Sequence, residues 1–332
     1  MRIVEISSTG DVEALEVHAQ PVSLVGKIVV IFGGAGTLGS AFARAAAEAG
    51  ATIAVADLPP SSPERKSAFE ERFNTIGGTL AALADRTGSA RPRLMHADVT
   101  NADDVREAVG ATIERYGRVD IGVDFAGAHH PVFDLTVDDP AVLAERFRRV
   151  VELNLTGAFI FTAVLARVMS RQRSGHIIHL CSNGSRLSLY GSYAYNASKH
   201  GVEGIVKTAA AQLAPVGVRV NAIAPGTILT DLNRELSMTP EGEYRPRARS
   251  ILAHTPTKRF ATVDGVVQSL LSMCIPQKHF TGNVVFIDDG YNVEGHSWPE
   301  GNDALYAGAE ALENLYRELD DRFPPSSGKS DV

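Results

Sequence analysis

Tyr195 and Lys199, in the run Tyr195-Asn196-Ala197-Ser198-Lys199, have the spacing that puts two side chains on one face of a helix. An ammonium beside a phenol favours the phenolate, and a tyrosine tuned in this way can give and take the proton of a carbonyl/alcohol pair. A core tyrosine next to a solvated lysine has the same spacing, so the pair needs neighbours. Ser182 is one: it follows the apolar run 177–181 and stands thirteen residues before Tyr195. Its hydroxyl can polarise a carbonyl oxygen, or it can cap a turn. Asn154 is another, a carboxamide inside the mostly apolar stretch 153–169, where it is costly without a buried partner.

A second set of residues suits a phosphate. In Phe32-Gly33-Gly34-Ala35-Gly36-Thr37-Leu38-Gly39 the glycines let the backbone turn tightly, and Thr37 and Leu38 open a helix whose N-terminus can receive a pyrophosphate. Such turns also occur without a ligand. Asp57 closes the next apolar run, eighteen residues after Gly39. It can accept hydrogen bonds from both hydroxyls of an adenosine ribose and would repel a 2′-phosphate. Leu58, Pro59 and Pro60 bring no basic partner, so NAD is favoured over NADP; a helix cap is the alternative use of Asp57. Asp98 and Val99 close a third run, where a carboxylate can reach an adenine amino group or cap the helix starting near Ala102. Pro225, Gly226, Ile228 and Thr230 follow the run 218–224 and can close over a nicotinamide carboxamide.

The elements that must carry these residues alternate regularly. Strand candidates at 28–32, 52–56, 93–97, 119–123, 175–180, 218–224 and 283–287 are short, apolar and β-branched. Helical stretches at 38–49, 61–83, 102–116, 141–169 and 194–213 separate them. Continuous apolar strands between helices indicate an α/β protein with a doubly wound parallel sheet of Rossmann type, its ligand at the carboxyl ends of the strands. Residues 1–25 form an N-terminal extension with a hairpin pattern across 8–11. Residues 26–291 form the catalytic domain. Residues 292–332 form a C-terminal extension with a helix candidate at 303–322 and a Pro/Ser/Gly tail.

Composition excludes several function classes. The 332 residues are 44% hydrophobic and 21% charged, as in an ordinary globular protein. A net charge of -7 leaves no electrostatic footprint for nucleic acid. Cys181 and Cys274 are far apart and lack metal-ligand spacing, so a reducing, cytoplasmic setting without a metal site is expected. Arg2, Glu5, Asp11 and Glu13 interrupt the N-terminus, which does not read as a signal peptide. The stretch 153–169 contains Asn154, Thr156, Gly157 and Arg167 and reads as a buried helix, with no membrane partner.

Residues 27–291 resemble the short-chain dehydrogenase/reductase family, in its compact single-domain branch. The motifs occur in the family's order: the glycine turn, Asp57, Asp98-Val99, Ala126-Gly127, Asn154, Ser182, Tyr195, Lys199, Pro225-Gly226, and the closing run 282–290. The resemblance implies a hydride transfer between NAD and a small alcohol or ketone. Within a Ser-Tyr-Lys-Asn tetrad, Tyr195 would exchange the hydroxyl proton. Lys199 would bind the nicotinamide ribose and tune Tyr195, Ser182 would hold the substrate oxygen, and Asn154 would fix a water leading to Lys199. It also implies a homodimer or homotetramer formed through the helices that carry Asn154 and Tyr195.

His129, Ser182, Arg186 and Tyr195 are candidate contacts at a polar substrate edge, and the run Ala126-Gly127-Ala128-His129-His130-Pro131 resembles relatives that oxidise sugar acids, which implies a sugar, polyol or sugar acid. Near them stand His130, Asn183, Tyr190 and Tyr193. The mixed-charge segment 231–259 is where the family carries a lid, and it reads as solvated surface. Departures from the family pattern keep alternatives open. Phe32 replaces a usual threonine, Thr37 a common glycine, and Asp124-Phe125 the Asn-Asn of Asn-Asn-Ala-Gly. The spacing of Gly33, Gly36 and Gly39 also occurs in the epimerase/dehydratase branch, which retains NAD. A non-catalytic nicotinamide-binding sensor or scaffold is the other alternative.

Overall fold

A computed structural model describes residues 2–6, 12–16, 22–60, 63–129, 133, 135–136, 138–189, 191–230, 237–275 and 279–293. Internal contacts divide the chain into two units, 1–292 and 293–332, and the sheet with its helices belongs to the first. Trp298, the helix candidate at 303–322 and the tail lie outside the described residues.

The chain opens with β1 (Arg2–Ile6) and β2 (Val12–Glu16), an antiparallel pair in which Val4 faces Ala14. Then follow β3 (Ile28–Phe32), α1 (Thr37–Glu48), β4 (Thr52–Asp57), α2 (Pro63–Thr87), β5 (Arg93–His96), α3 (Ala102–Tyr116) and β6 (Ile121–Asp124). The second half comprises α4 (Pro140–Val151), α5 (Gly157–Gln172), β7 (Gly175–Leu180), α6 (Tyr193–Leu213), β8 (Val218–Pro225), α7 (Pro246–Ala253), α8 (Val263–Cys274) and β9 (Val284–Ile287). Strands β3 to β9 form one parallel sheet in the order β5-β4-β3-β6-β7-β8-β9. The order reverses between β3 and β6, and the crevice at that reversal is where an open α/β sheet takes its ligand.

Both faces of the sheet are covered, which is why β3 and the middle of β4 are unbroken apolar runs; β7 and β8 add the buried polar side chains His176, His179 and Asn221. In β3, Val29 and Ile31 pack into the layer of α1, α2 and α8, while Val30 and Phe32 pack into the layer of α3, α5 and α6. Ile178 and Ile177 of β7 divide in the same way. Local signals set the helix ends. The Asn101 side chain accepts from Asp103 N at the start of α3, and Gly117 ends that helix in the left-handed region. Asp139 accepts from Ala141 N and Val142 N, with Pro140 opening α4.

Two features differ from the sequence expectation. The single helix expected over 141–169 is α4 and α5 joined by a π-turn, Glu152–Thr156, which carries Asn154. The wider turn places this carboxamide inside, 1% exposed, and such π insertions recur at functional sites. Helices α7 and α8 were not assigned from sequence, although Val266, Val267, Leu270, Met273 and Cys274 repeat at helical spacing and are buried on α1 and the sheet. The run 140–172 is apolar and long enough to cross a membrane by composition. Its Ala158, Phe161, Leu165 and Met169 are packed into the core. Cys181 and Cys274 are free and buried.

Candidate active site

The carboxyl ends of β3, β4, β5 and β6 open on a cleft of about 580 Å³. Gly33, Gly36, Asp57, Asp98, Val99, Ala126 and Gly127 are among the residues that line it; Thr37, Leu38 and Gly39 are not. Gly33 has φ +70°, and a Cβ there would stand 2.6 Å from Ala126 N. A Cβ on Gly39 would stand 2.4 Å from Gly33 O, so only glycine lets α1 seat this closely under the turn. Thr37 and Leu38 form the first turn of α1.

Asp57 is fixed at the cleft wall. Its Oδ2 accepts from Ala35 N at 2.7 Å and its Oδ1 from Leu58 N at 2.8 Å. Burial raises its pKa, against the opposing pull of those two amides and of the Arg72 charge. It therefore braces the glycine turn rather than capping α2. Asp98 does not cap α3, a task that Asn101 performs; its Oδ1 accepts from Thr100 N at 2.8 Å and from Thr100 Oγ1 at 2.7 Å.

Sequence reasoning missed one feature of this wall: Arg65 and Arg72 of α2 also line the cleft, with Phe69 between them. The signal was present, since residues 65 and 72 lie two helical turns apart and hence on one face. The three positions after Asp57 carry no cation, and the two arginines come to this wall only through the packing of α2.

The proton-transfer candidates meet beyond Gly127. Lys199, one turn along α6 from Tyr195, is 4% exposed. Its Nζ donates to Leu180 O at 2.6 Å and stands 5.8 Å from the centre of the Tyr195 ring. Asn154 Oδ1 accepts from Ala128 N at 2.8 Å; its Nδ2 donates to Ala128 O at 3.0 Å and to Ser198 Oγ at 3.1 Å. The buried partner that its position demanded is thus the loop after β6 together with α6. A Cβ on Gly127 would lie 3.2 Å from Asn154 Oδ1 and 3.7 Å from Lys199 Nζ, so the cleft leads directly to this group.

Ser182, 7% exposed, ends the chain's exit from β7. Its Oγ accepts from Gly184 N at 3.1 Å and donates to Asn183 Oδ1 at 3.0 Å, which is the capping use of a serine. The turn it caps forms a wall for the phenol: a Cβ on Gly184 would lie 3.4 Å from Tyr195 Cε1. On another side the His129 ring stands 4.9 Å from the Tyr195 ring, with its Nε2 3.0 Å from Ser192 Oγ. The neighbouring Cys181 thiol is pushed up to about 12 by burial, despite the Lys199 charge, so it does not compete as a nucleophile.

Other anticipated residues lie apart from this group. The Arg186 guanidinium is 4.8 Å over the Phe286 ring and 3.5 Å from Glu203 Oε1, engaged with β9 and the middle of α6. Pro225 and Gly226 lie at the end of β8, where Gly226 N donates to Ile287 O at 2.9 Å. Ile228 bridges to Ala261, and Thr230 follows it; none of the four lines the 580 Å³ cleft. In the segment 237–259, Glu241, Glu243 and Arg245 are exposed, as expected of a solvated surface. His130, Tyr190, Arg234 and Glu235 lie outside the described residues.

Comparison with known proteins bears on the whole arrangement. Residues 33–292 match a family model described as Enoyl-(Acyl carrier protein) reductase. Secoisolariciresinol dehydrogenase of Forsythia intermedia is 30% identical over 270 residues, covering 81% of this chain and 90% of that protein. Short chain dehydrogenase/reductase astE of Aspergillus oryzae is 31% identical over 285 residues, 83% and 98% of the two chains. The crystal structure of a short-chain type dehydrogenase/reductase from Mycobacterium marinum superposes with a TM-score of 0.69 at 27% identity, over 81% of this chain and 97% of that one.

Proposed function

Because this chain belongs to the short-chain dehydrogenase/reductase family, nicotinamide-dependent oxidoreductases acting on CH–OH groups, we propose that it interconverts a small polar alcohol and its ketone with NAD, using Tyr195 as general acid/base. The observation that carries the proposal is the junction at Gly127, where the cleft meets Lys199, Asn154 and, 5.8 Å from the ammonium, the Tyr195 ring.

A nicotinamide held in this cleft would supply or accept the hydride. Everything else falls to the chain. Gly33, Gly36 and Gly39 shape the turn for the pyrophosphate, and Asp57 holds the adenosine ribose. Tyr195 takes the alcohol proton on oxidation and returns it on reduction. Lys199 offers a donor to the nicotinamide ribose. Asn154, fixed by three hydrogen bonds, ties the loop after β6 to α6 and so sets the height of Lys199 over Gly127. Ser182 presents its hydroxyl to the substrate oxygen by exchanging its bond to Asn183 for one to the ligand. Asn183 beside it, and His129 and its partner Ser192 beside Tyr195, add polar groups, which suits a sugar, polyol or sugar acid.

The two free buried thiols suit a reducing cytoplasm. A two-fold contact through α4, α5 and the start of α6 would cover Val142, Phe147, Phe159 and Tyr193, which are 46%, 38%, 58% and 49% exposed. Turnover of NAD over a panel of polyols, sugars and sugar acids tests the function. Tyr195→Phe should lower kcat by about two to four orders of magnitude while cofactor binding survives. Activity within a few-fold of wild type would remove Tyr195 from the mechanism.

A further inference from the structure

A second cleft, of about 450 Å³, opens at the amino ends of β3, β6, β7 and β8, the edge of the sheet opposite the cofactor cleft. Lys27, Asp120, His176 and Arg219 line it from the four strand starts, with Cys274 at the end of α8 and Thr281 before β9. Its volume is that of a small-molecule site.

The charges in its wall do not balance. Lys27 makes no hydrogen bond or ion pair with any described residue. The Arg219 guanidinium donates to Phe280 O at 3.4 Å and meets no carboxylate. Burial lowers its pKa, so this cation has lost water without gaining a counter-anion. Asp120 cannot serve either of them, because Oδ1 is 2.8 Å from Arg118 and Oδ2 accepts from Ile28 N at 2.9 Å. The Cys274 thiol, pushed up to about 12 by burial, stays neutral and supplies no anion. Thr281 Oγ1 accepts from Val220 N at 3.0 Å.

The buried histidine adds a donor to this excess. Asn221 is oriented by its neighbours: Oδ1 accepts from Asn283 N at 3.0 Å, and Nδ2 donates to Phe280 O at 2.9 Å. Nδ2 therefore also donates to His176 Nε2, 2.8 Å away, and a neutral imidazole then carries its hydrogen on Nδ1. Burial keeps the ring neutral. Nδ1 is itself buried and has no hydrogen-bond partner, although His176 is 1% exposed and such groups are normally satisfied. The wall thus holds two cations and one N–H without acceptors, against a single carboxylate that is already engaged.

We propose that this cleft is a second binding site, for a small oxyanion bearing a carboxylate or phosphate group, with Lys27 and Arg219 as its ion-pair partners and His176 as a neutral donor. The inference does not depend on the nicotinamide reading, since no residue lines both clefts. An anion held here would leave the cofactor cleft open.

Calorimetric titration of the full chain with inorganic phosphate and with succinate, at constant ionic strength, tests this. Wild type should bind at least one of them saturably with a millimolar or lower Kd, and the tighter of the two identifies the ligand as phosphate or carboxylate. Lys27→Gln and Arg219→Gln should each raise that Kd by about tenfold or more, the worth of one charge-assisted hydrogen bond. Arg72→Gln, in the cofactor cleft, should leave it within about twofold of wild type. Lys27 precedes β3 and is partly exposed, so Lys27→Gln serves alone should Arg219→Gln not fold. Absence of saturable binding to wild type overturns the site, as does an unchanged Kd in Lys27→Gln. Loss of binding in Arg72→Gln would put the anion in the cofactor cleft and also overturn it.

Discussion

Replacing Asp57 by asparagine should nearly abolish discrimination between NAD and NADP. Two backbone amides fix the carboxylate, at 2.7 and 2.8 Å, so it does not swing away from an incoming 2′-phosphate. At a separation of about 4 Å and an effective dielectric of about 20, each unit of like charge costs about 4 kcal/mol. Arg65 and Arg72 line the same cleft and offset part of this. A net penalty of about 2–4 kcal/mol corresponds to an NAD preference of about thirtyfold to several-hundredfold in kcat/KM.

Asp57→Asn removes the charge and leaves the two arginines, so the ratio should fall to within about threefold or invert. The amide has one acceptor oxygen for two N–H groups, and loss of a charge-assisted bond should cost about 1.5–3 kcal/mol of stability. The assay therefore runs well below the variant's Tm, with both cofactors at equal ionic strength. Burial raises the Asp57 pKa, so acidification neutralises the group earlier than usual and should narrow the wild-type preference. A wild-type preference for NADP, or an unchanged ratio in Asp57→Asn, would refute the reasoning.

Gly33→Ala would force a Cβ to 2.6 Å from Ala126 N at a positive φ, so cofactor Kd should rise more than tenfold, as equilibrium titration would show. Lys199→Ala, unlike Tyr195→Phe, should damage both turnover and cofactor affinity. His176 is held neutral by burial beside Arg219, with its pKa well below 6.5, whereas the unfolded chain takes up the proton near 6.5. Its contribution is therefore complete above that pH and should be lost below it by about 1.4 kcal/mol per pH unit until the folded pKa is reached. Urea titrations from pH 7 to 5 should show a shallower slope in His176→Gln; equal slopes would contradict the assignment. Light scattering should give a dimer or tetramer at micromolar concentration, and Phe159→Asp should lower the mass. A monomeric wild type would exclude the proposed contact.

The layering of the fold and the glycines of the turn after β3 were legible along the chain, because both depend on local pattern. A strand buried on two faces is apolar through most of its length, as β3 and the middle of β4 are; a turn as tight as that at Gly33 admits only glycine. Tyr195 and Lys199 were legible for the same reason, since a spacing of four on a helix is geometry carried by the chain itself.

What the sequence left open depends on which groups the fold brings together from a distance. Ser182 allowed a capping or a substrate role; its hydrogen bonds to Gly184 N and Asn183 Oδ1 are those of a cap, and the substrate role stands as proposed. The partner of Asn154 was implied by its cost, but only the π-turn and the loop after β6 identified it as Ala128 and Ser198. Arg72 reaches the Asp57 site from fifteen residues away along the chain, and Lys27, His176 and Arg219 line one cleft only because β3, β6, β7 and β8 are neighbours in the sheet. Desolvation and electrostatic pairing depend on separation in space, which local pattern does not encode and the parallel sheet order supplies.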